Sequence, residues 1–169
     1  MKSKETVEQE LLKTGVKISS NKNAVKSLPE NMLEDEQITT VLDATSLGVL
    51  TNKRLIRLMY GILSGTDVTS TNLENINAVN LDVSLISATL NVVTTSGTKL
   101  VFVSGSKAEA KRFKESLETA IEQNKSVNKT QSNSNIDVVS QLEKLAELKS
   151  KGILTDEEFT EQKKKLLAQ

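Results

Sequence analysis

The chain has 169 residues with 22 Lys plus Arg against 22 Asp plus Glu, enough for one domain with appendages but not for two full cores. It contains neither Cys nor His, which excludes a disulfide framework, thiolate and imidazole metal sites, and catalysis by those nucleophiles and bases. Aromatic residues make up 2% and Trp is absent, so the core must be aliphatic and base-stacking platforms are nearly excluded.

The charge balance also holds locally. Residues 1–35 carry 6 acids and 6 bases, 36–122 carry 9 and 8, and 137–169 carry 7 and 6, while 123–136 holds only Lys125 and Lys129. No region has the basic footprint of a phosphate-backbone binder, so nucleic acid is not an expected partner. The opening MKSKETVEQELLKTGVK lacks the apolar stretch of a secretory leader, and no run approaches the roughly 18 apolar residues of a bilayer span. A cytoplasmic location is the expectation.

In chain order, residues 1–23 read as a helical or flexible segment: VEQELLKTG predicts a short helix ending at Gly15, and VKISSNKN a loop. NAVKSLPENMLEDE predicts a further turn or two of helix around Pro29, with Ala24, Val25, Leu28, Met32 and Leu33 apolar. From Glu36 to Gly105, short runs rich in Val, Ile, Thr and Leu predict seven strands, at 37–43, 46–51, 54–59, 66–71, 75–82, 88–95 and 98–104. Asn52-Lys53 and Ser96-Gly97 separate successive runs as tight hairpin turns, with positive φ expected at Asn52.

After Gly105 the period changes from 2 to 3.6. Ser106 and Glu109 form a capping box, and Ala110, Phe113, Leu117, Ala120 and Ile121 make one apolar stripe that must pack on the preceding sheet. Residues 123–136 are crowded with Asn, Ser, Gln and Lys and predict a flexible linker, because so polar a stretch buries too little to offset chain ordering. A helix over 137–150 follows, with Val138, Val139, Leu142, Leu145, Ala146 and Leu148 apolar. Gly152 and Ile153 suit a Schellman stop, Thr155 and Glu158 form a second capping box, and Leu154 and Phe159 form a hydrophobic staple. Asp156, Glu157 and Glu158 crowd the positive end of the last helix, and Lys163, Lys164 and Lys165 its negative end.

The stretch LPENMLEDEQITTVLDATSLGVLTNKRLI, with its GVLTNKRLI hairpin, resembles the YokE-like bacterial pleckstrin-homology domains, over about residues 24–122. The tail, 137–169, is similar to SHOCT, the short C-terminal domain, on Leu148, Lys149, Gly152, Ile153, Leu154, Thr155, Glu157, Glu158, Phe159, Lys163, Leu166 and Leu167. Together these resemblances imply an α+β chain: a seven-stranded antiparallel pleckstrin-homology-like barrel capped by a helix, followed by a two-helix hairpin. They also imply a bacterial or prophage-encoded protein for which interaction and oligomerisation are the usual proposals. Fold-level likeness leaves the function open.

No catalytic, metal or cofactor residues are assigned, and no small-molecule substrate is expected. Glu34-Asp35-Glu36 reads as a solvated turn and Asp156-Glu157-Glu158 as helix-end charge. GILSG, 61–65, has the wrong order for a serine elbow and no His to serve it, so it reads as a loop. SGTK and GSK do not complete a phosphate loop. The tail is below the roughly 40 residues at which one core suffices, so its apolar side must meet another copy, its own barrel or another protein. Leu142, Leu145, Phe159, Leu166 and Leu167 are the expected protein contacts. The alternative is an adaptor on anionic membranes through Lys53, Arg54 and Arg57, and a nucleic-acid regulator ranks third. The odd spacing of Arg54 and Arg57 places them on opposite faces of an unbulged strand, which weakens a joint anion site.

Overall fold

The computed structural model describes the backbone of residues 2–151 and 154–167, and side chains over 2–127, 141–151 and 154–165. The chain divides into two compact units, Met1–Asn124 and Lys125–Gln169.

The first unit opens with α1 (Lys4–Lys13), whose N-cap Ser3 accepts a hydrogen bond at Oγ from the Thr6 N–H at 3.1 Å. It stops at Thr14, and Gly15 takes the left-handed φ of 68° that ends the helix. A short α2 (Lys22–Val25) and a 3-10 turn, Pro29–Asn31, follow. The described residues then form seven strands: β1 (Ile38–Asp43), β2 (Leu47–Thr51), β3 (Arg54–Gly61), β4 (Gly65–Asn72), β5 (Ile76–Val83), β6 (Ala88–Thr94) and β7 (Lys99–Ser104). All seven lie within about two residues of the runs expected from alternation.

The strands make two antiparallel sheets, β1-β2-β3-β4 and β5-β6-β7, where a barrel was expected. Among the described residues no ladder joins them. The 3-10 turn Leu73–Asn75 breaks the extended backbone after β4 and turns Leu73 into the core. The sheets are tied instead at the β1–β2 turn, where the Thr45 N–H donates to the Val103 carbonyl at 2.9 Å and the Val103 N–H to Thr45 Oγ1 at 3.2 Å.

The first sheet is buried on both faces along β1, β2 and the first half of β3, while no β4 residue is buried. On β3, Leu55 joins an inner cluster with Leu90, Phe102 and Phe113, while Ile56 and Leu58 join a second cluster with Val7, Leu11 and Leu28. The N-terminal segment is therefore part of this unit, not a separate piece ending at residue 23. Burying Val7 and Leu11 contributes roughly 1.5–3 kcal/mol each before ordering of the helix is counted. Gly48 on β2 lies under the aromatic pair: a Cβ there would stand 3.1 Å from the Phe102 ring and 3.4 Å from Phe113. Those rings are 6.4 Å apart, tilted at 50°.

The next helix, α3, runs Lys107–Ser150. Ala110, Phe113, Leu117 and Ile121 are buried on the inner cluster, and Ala120 is partly buried there. The first capping box is half made: the Glu109 N–H donates to Ser106 Oγ at 3.4 Å, but the Ser106 N–H is taken by Ser104 Oγ at 3.1 Å. The flexible linker expected over 123–136 is helical backbone within α3. No Gly or Pro occurs between Ser106 and Lys151, and Asn, Ser and Thr cost a helix only about 0.5 kcal/mol each, too little to stop it. The predicted helix start at 137 is likewise not a boundary.

The last helix, α4, spans Asp156–Leu167. Its capping box is complete. The Thr155 N–H donates to Glu158 Oε2 at 2.9 Å, and the Glu158 N–H donates to Thr155 Oγ1 at 3.3 Å. Gly152 and Ile153, expected to stop α3, lie outside the described residues.

Candidate interaction site

The β2–β3 turn that carries Lys53 and Arg54 is built by Thr51. Its Oγ1 accepts the Lys53 and Arg54 N–H groups at 3.2 and 3.0 Å, so the turn closes without positive φ. Among the described residues only glycines have positive φ, and Asn52 instead accepts the Gln37 N–H at 2.8 Å through Oδ1. Each expected anion contact faces a carboxylate. Lys53 pairs with Asp35 at 2.5 Å, and Arg57 lies 3.7 Å from Asp67. The Arg54 guanidinium binds Glu36 bidentately, Nε to Oε1 at 2.9 Å and Nη2 to Oε2 at 3.0 Å, and also donates to the Asn31 carbonyl and Ser70 Oγ.

Glu36 is fully buried, correcting the solvated turn expected for Glu34-Asp35-Glu36. Burial by itself would raise its pKa, but Arg54, the Leu33 N–H and the Thr51 hydroxyl outweigh it and hold the carboxyl below the ordinary glutamate range. Asp35 is lowered by its hydrogen bond from Lys53. Arg54 and Arg57 do lie on opposite faces of β3, as their spacing requires: Arg54 is beside Glu36, and Arg57 alternates with the Ile56 and Leu58 side. A cleft of about 360 Å³ beside the turn is lined by Leu33, Asn52, Lys53, Arg54, Asn72, Leu73, Glu74 and Asn124.

In the second unit, the acids at the α4 N-terminus serve local structure. Asp156 is held below the usual carboxylate range by Lys149, 2.7 Å away, and Glu158 by the Thr155 N–H and hydroxyl. The Lys149 ammonium also stands 4.9 Å from the Phe159 ring centroid, tying the end of α3 to α4. Leu142, Leu145, Leu154 and Phe159 are each only partly buried, and Leu148 is exposed. Among the described side chains of 125–165 none is buried. The side chains of Leu166 and Leu167 lie outside the described residues.

The Bacterial PH domain family matches residues 12–119, more than half of the chain. This chain belongs to that family. The bacterial PH unit is followed by a match to SHOCT, the Short C-terminal domain, over residues 140–167. Both are non-catalytic domain types, and both are generally interaction modules. Among solved structures, a DUF1696 family protein with a pleckstrin-homology domain from Shewanella loihica PV-4 is similar at 17% identity and a TM-score of 0.47, over 62% of this chain and 99% of that one. No curated protein matches. Among the described residues no helix is long and apolar enough to cross a membrane.

Sequence reasoning did not single out Asp43 of the PH unit. Its Oδ2 accepts the Ser19 and Ser20 N–H groups at 2.7 and 2.9 Å, and its Oδ1 accepts the Asn21 amide at 2.6 Å. Burial opposes ionisation, yet the Ser20 N–H, the Asn21 amide and Ser19 together keep its pKa below the ordinary aspartate range. This carboxylate pins the 16–21 loop to the end of β1. No local signal could have found it, because its partners lie more than twenty residues earlier.

Proposed function

We propose that the protein is a non-catalytic interaction protein of the bacterial cytoplasm, with the PH unit as a rigid scaffold and the SHOCT hairpin as the element that self-associates or docks. Leu142, Leu145, Phe159, Leu166 and Leu167 are its contact residues. The observation that carries this reading is that the tail's described apolar side chains stay at least partly exposed, although the capping box of α4 is formed and Asp156 is paired with Lys149. An apolar stripe held in helical register but only partly covered favours a partner surface. Light scattering of the full chain and of a 1–124 truncation tests it. The expected result is a multimer for the full chain and a monomer for the truncation, and monomers in both cases would reject self-association. The basic hairpin does not support a second reading, since Lys53, Arg54 and Arg57 are each matched by an acid.

A further inference from the structure

The most exposed aliphatic side chains of the PH unit sit in pairs on two hairpin tips. Ile62 and Leu63, between β3 and β4, are 90% and 101% exposed, and Leu85 and Ile86, between β5 and β6, are 90% and 82% exposed. Single exposed aliphatics are ordinary, but two pairs at one end of a domain are not. That they share an end follows from three contacts. Tyr60, Thr45, Val103 and Gly105 line one cleft of about 470 Å³, Ala88 pairs with Ser104, and the Lys107 ammonium donates to the Leu85 carbonyl at 2.6 Å. The basic β2–β3 turn lies at the opposite end of β3.

We propose that these two tips insert into the interfacial layer of a lipid bilayer. The backbone closes at the base of each tip. In the β5–β6 tip the Ser84 N–H donates to the Ser87 carbonyl at 2.9 Å, and the Ser87 N–H donates to Ser84 Oγ at 3.2 Å, so Leu85 and Ile86 face out from a turn whose ends are satisfied. The β3–β4 tip closes through the Gly61–Gly65 pair: Gly65 has φ of 74°, and the Ser64 hydroxyl occupies the space a side chain at Gly61 would need. Such closure matters in an apolar medium, where an unsatisfied backbone group is costly.

Neither GILSG nor SLIS contains a charge. The nearest acids below them are partnered, Asp67 by Arg57 at 3.7 Å and Asp82 by the Asn91 amide at 3.0 Å. Tyr60, half exposed next to Gly61, sits where an amphipathic ring favours the headgroup boundary. A folded protein partner would need two separate pockets for two convex tips, whereas lipid closes around each. Bilayer insertion therefore fits the geometry better than a protein contact.

Flotation of the full chain with neutral phosphatidylcholine vesicles tests the proposal, at low salt and at about 1 M salt, where the screening length is about 3 Å. Wild type floats equally at both salt levels. Ile62→Ser with Leu63→Ser, or Leu85→Ser with Ile86→Ser, lowers the partition coefficient at least about tenfold. Lys53→Ala leaves it unchanged. Should a Ser variant misfold by circular dichroism, Leu63→Trp reports the same event, its emission moving to the blue only when vesicles are added. Wild type that fails to float, Ser variants that float like wild type, or indole emission of the Leu63→Trp variant unmoved by vesicles would each overturn it. So would Ser variants that lose self-association without lipid, since that result assigns the tips to a protein contact. The tips and the tail are different surfaces, so either reading can fail without the other.

Discussion

Glu36 shows what a single side chain does here. Its carboxylate is buried against Arg54, Thr51 and the Leu33 N–H, and its own backbone carbonyl accepts from the Lys2 ammonium, which also pairs with Glu10 at 2.5 Å. One residue thus joins the N-terminal segment, the 3-10 turn and the β2–β3 turn. Its folded pKa is depressed, so its stabilisation is present above the unfolded pKa and is lost as pH falls through the folded value. Glu36→Gln is expected to destabilise the PH unit by about 2–3 kcal/mol at pH 7, because Arg54 loses its buried partner. The difference should shrink as pH falls below the unfolded glutamate pKa, about 4.3, towards the lower folded value. Urea unfolding of both proteins across that range measures it, and a pH-independent difference would contradict the linkage. The sequence concealed this role: beside Glu34 and Asp35, Glu36 looks like one more solvated acid, and Arg54 is 18 positions away.

The strands and helices were largely legible because their signals are local. Period-2 runs located all seven strands, the 3.6 stripe located the start of α3, and Gly97 took the φ of 84° its turn demands. Local competition explains the misses. Asn52 needed no positive φ because the Thr51 hydroxyl made the turn, and the Ser106 N–H preferred Ser104 to Glu109. Polar composition over 123–136 argued for a linker, but polarity opposes burial rather than helix formation. The Thr155–Glu158 box is where local reading and structure agree atom for atom. Thr155→Ala is expected to weaken the first turn of α4 by about 1 kcal/mol, lowering hydrogen-exchange protection at the Glu158 and Phe159 amides several-fold, while Thr155→Ser retains it. Equal loss in both variants would mean that the hydroxyl is not the cap.

The two units differ in how their apolar surface is disposed. Among the described residues, the two hydrophobic clusters of the PH unit are built from residues between Val7 and Ile121. The 1–124 truncation is therefore expected to unfold cooperatively with a midpoint within about 3 °C of the main transition of the full chain, as scanning calorimetry would record. A drop of about 10 °C or more would show that the tail supports the PH unit. Residue type and spacings of a few positions suffice for the strand and helix segments, the capping of α4, the aliphatic core and the exclusion of His and Cys chemistry. Only the folded chain decides that the strands split into two sheets and that β2 and the first half of β3 are covered on both faces. It likewise decides that Lys53, Arg54 and Arg57 meet acids and that two apolar tips stand uncovered at one end. Those outcomes depend on pairings across tens of residues, which periodicity and local capping do not encode.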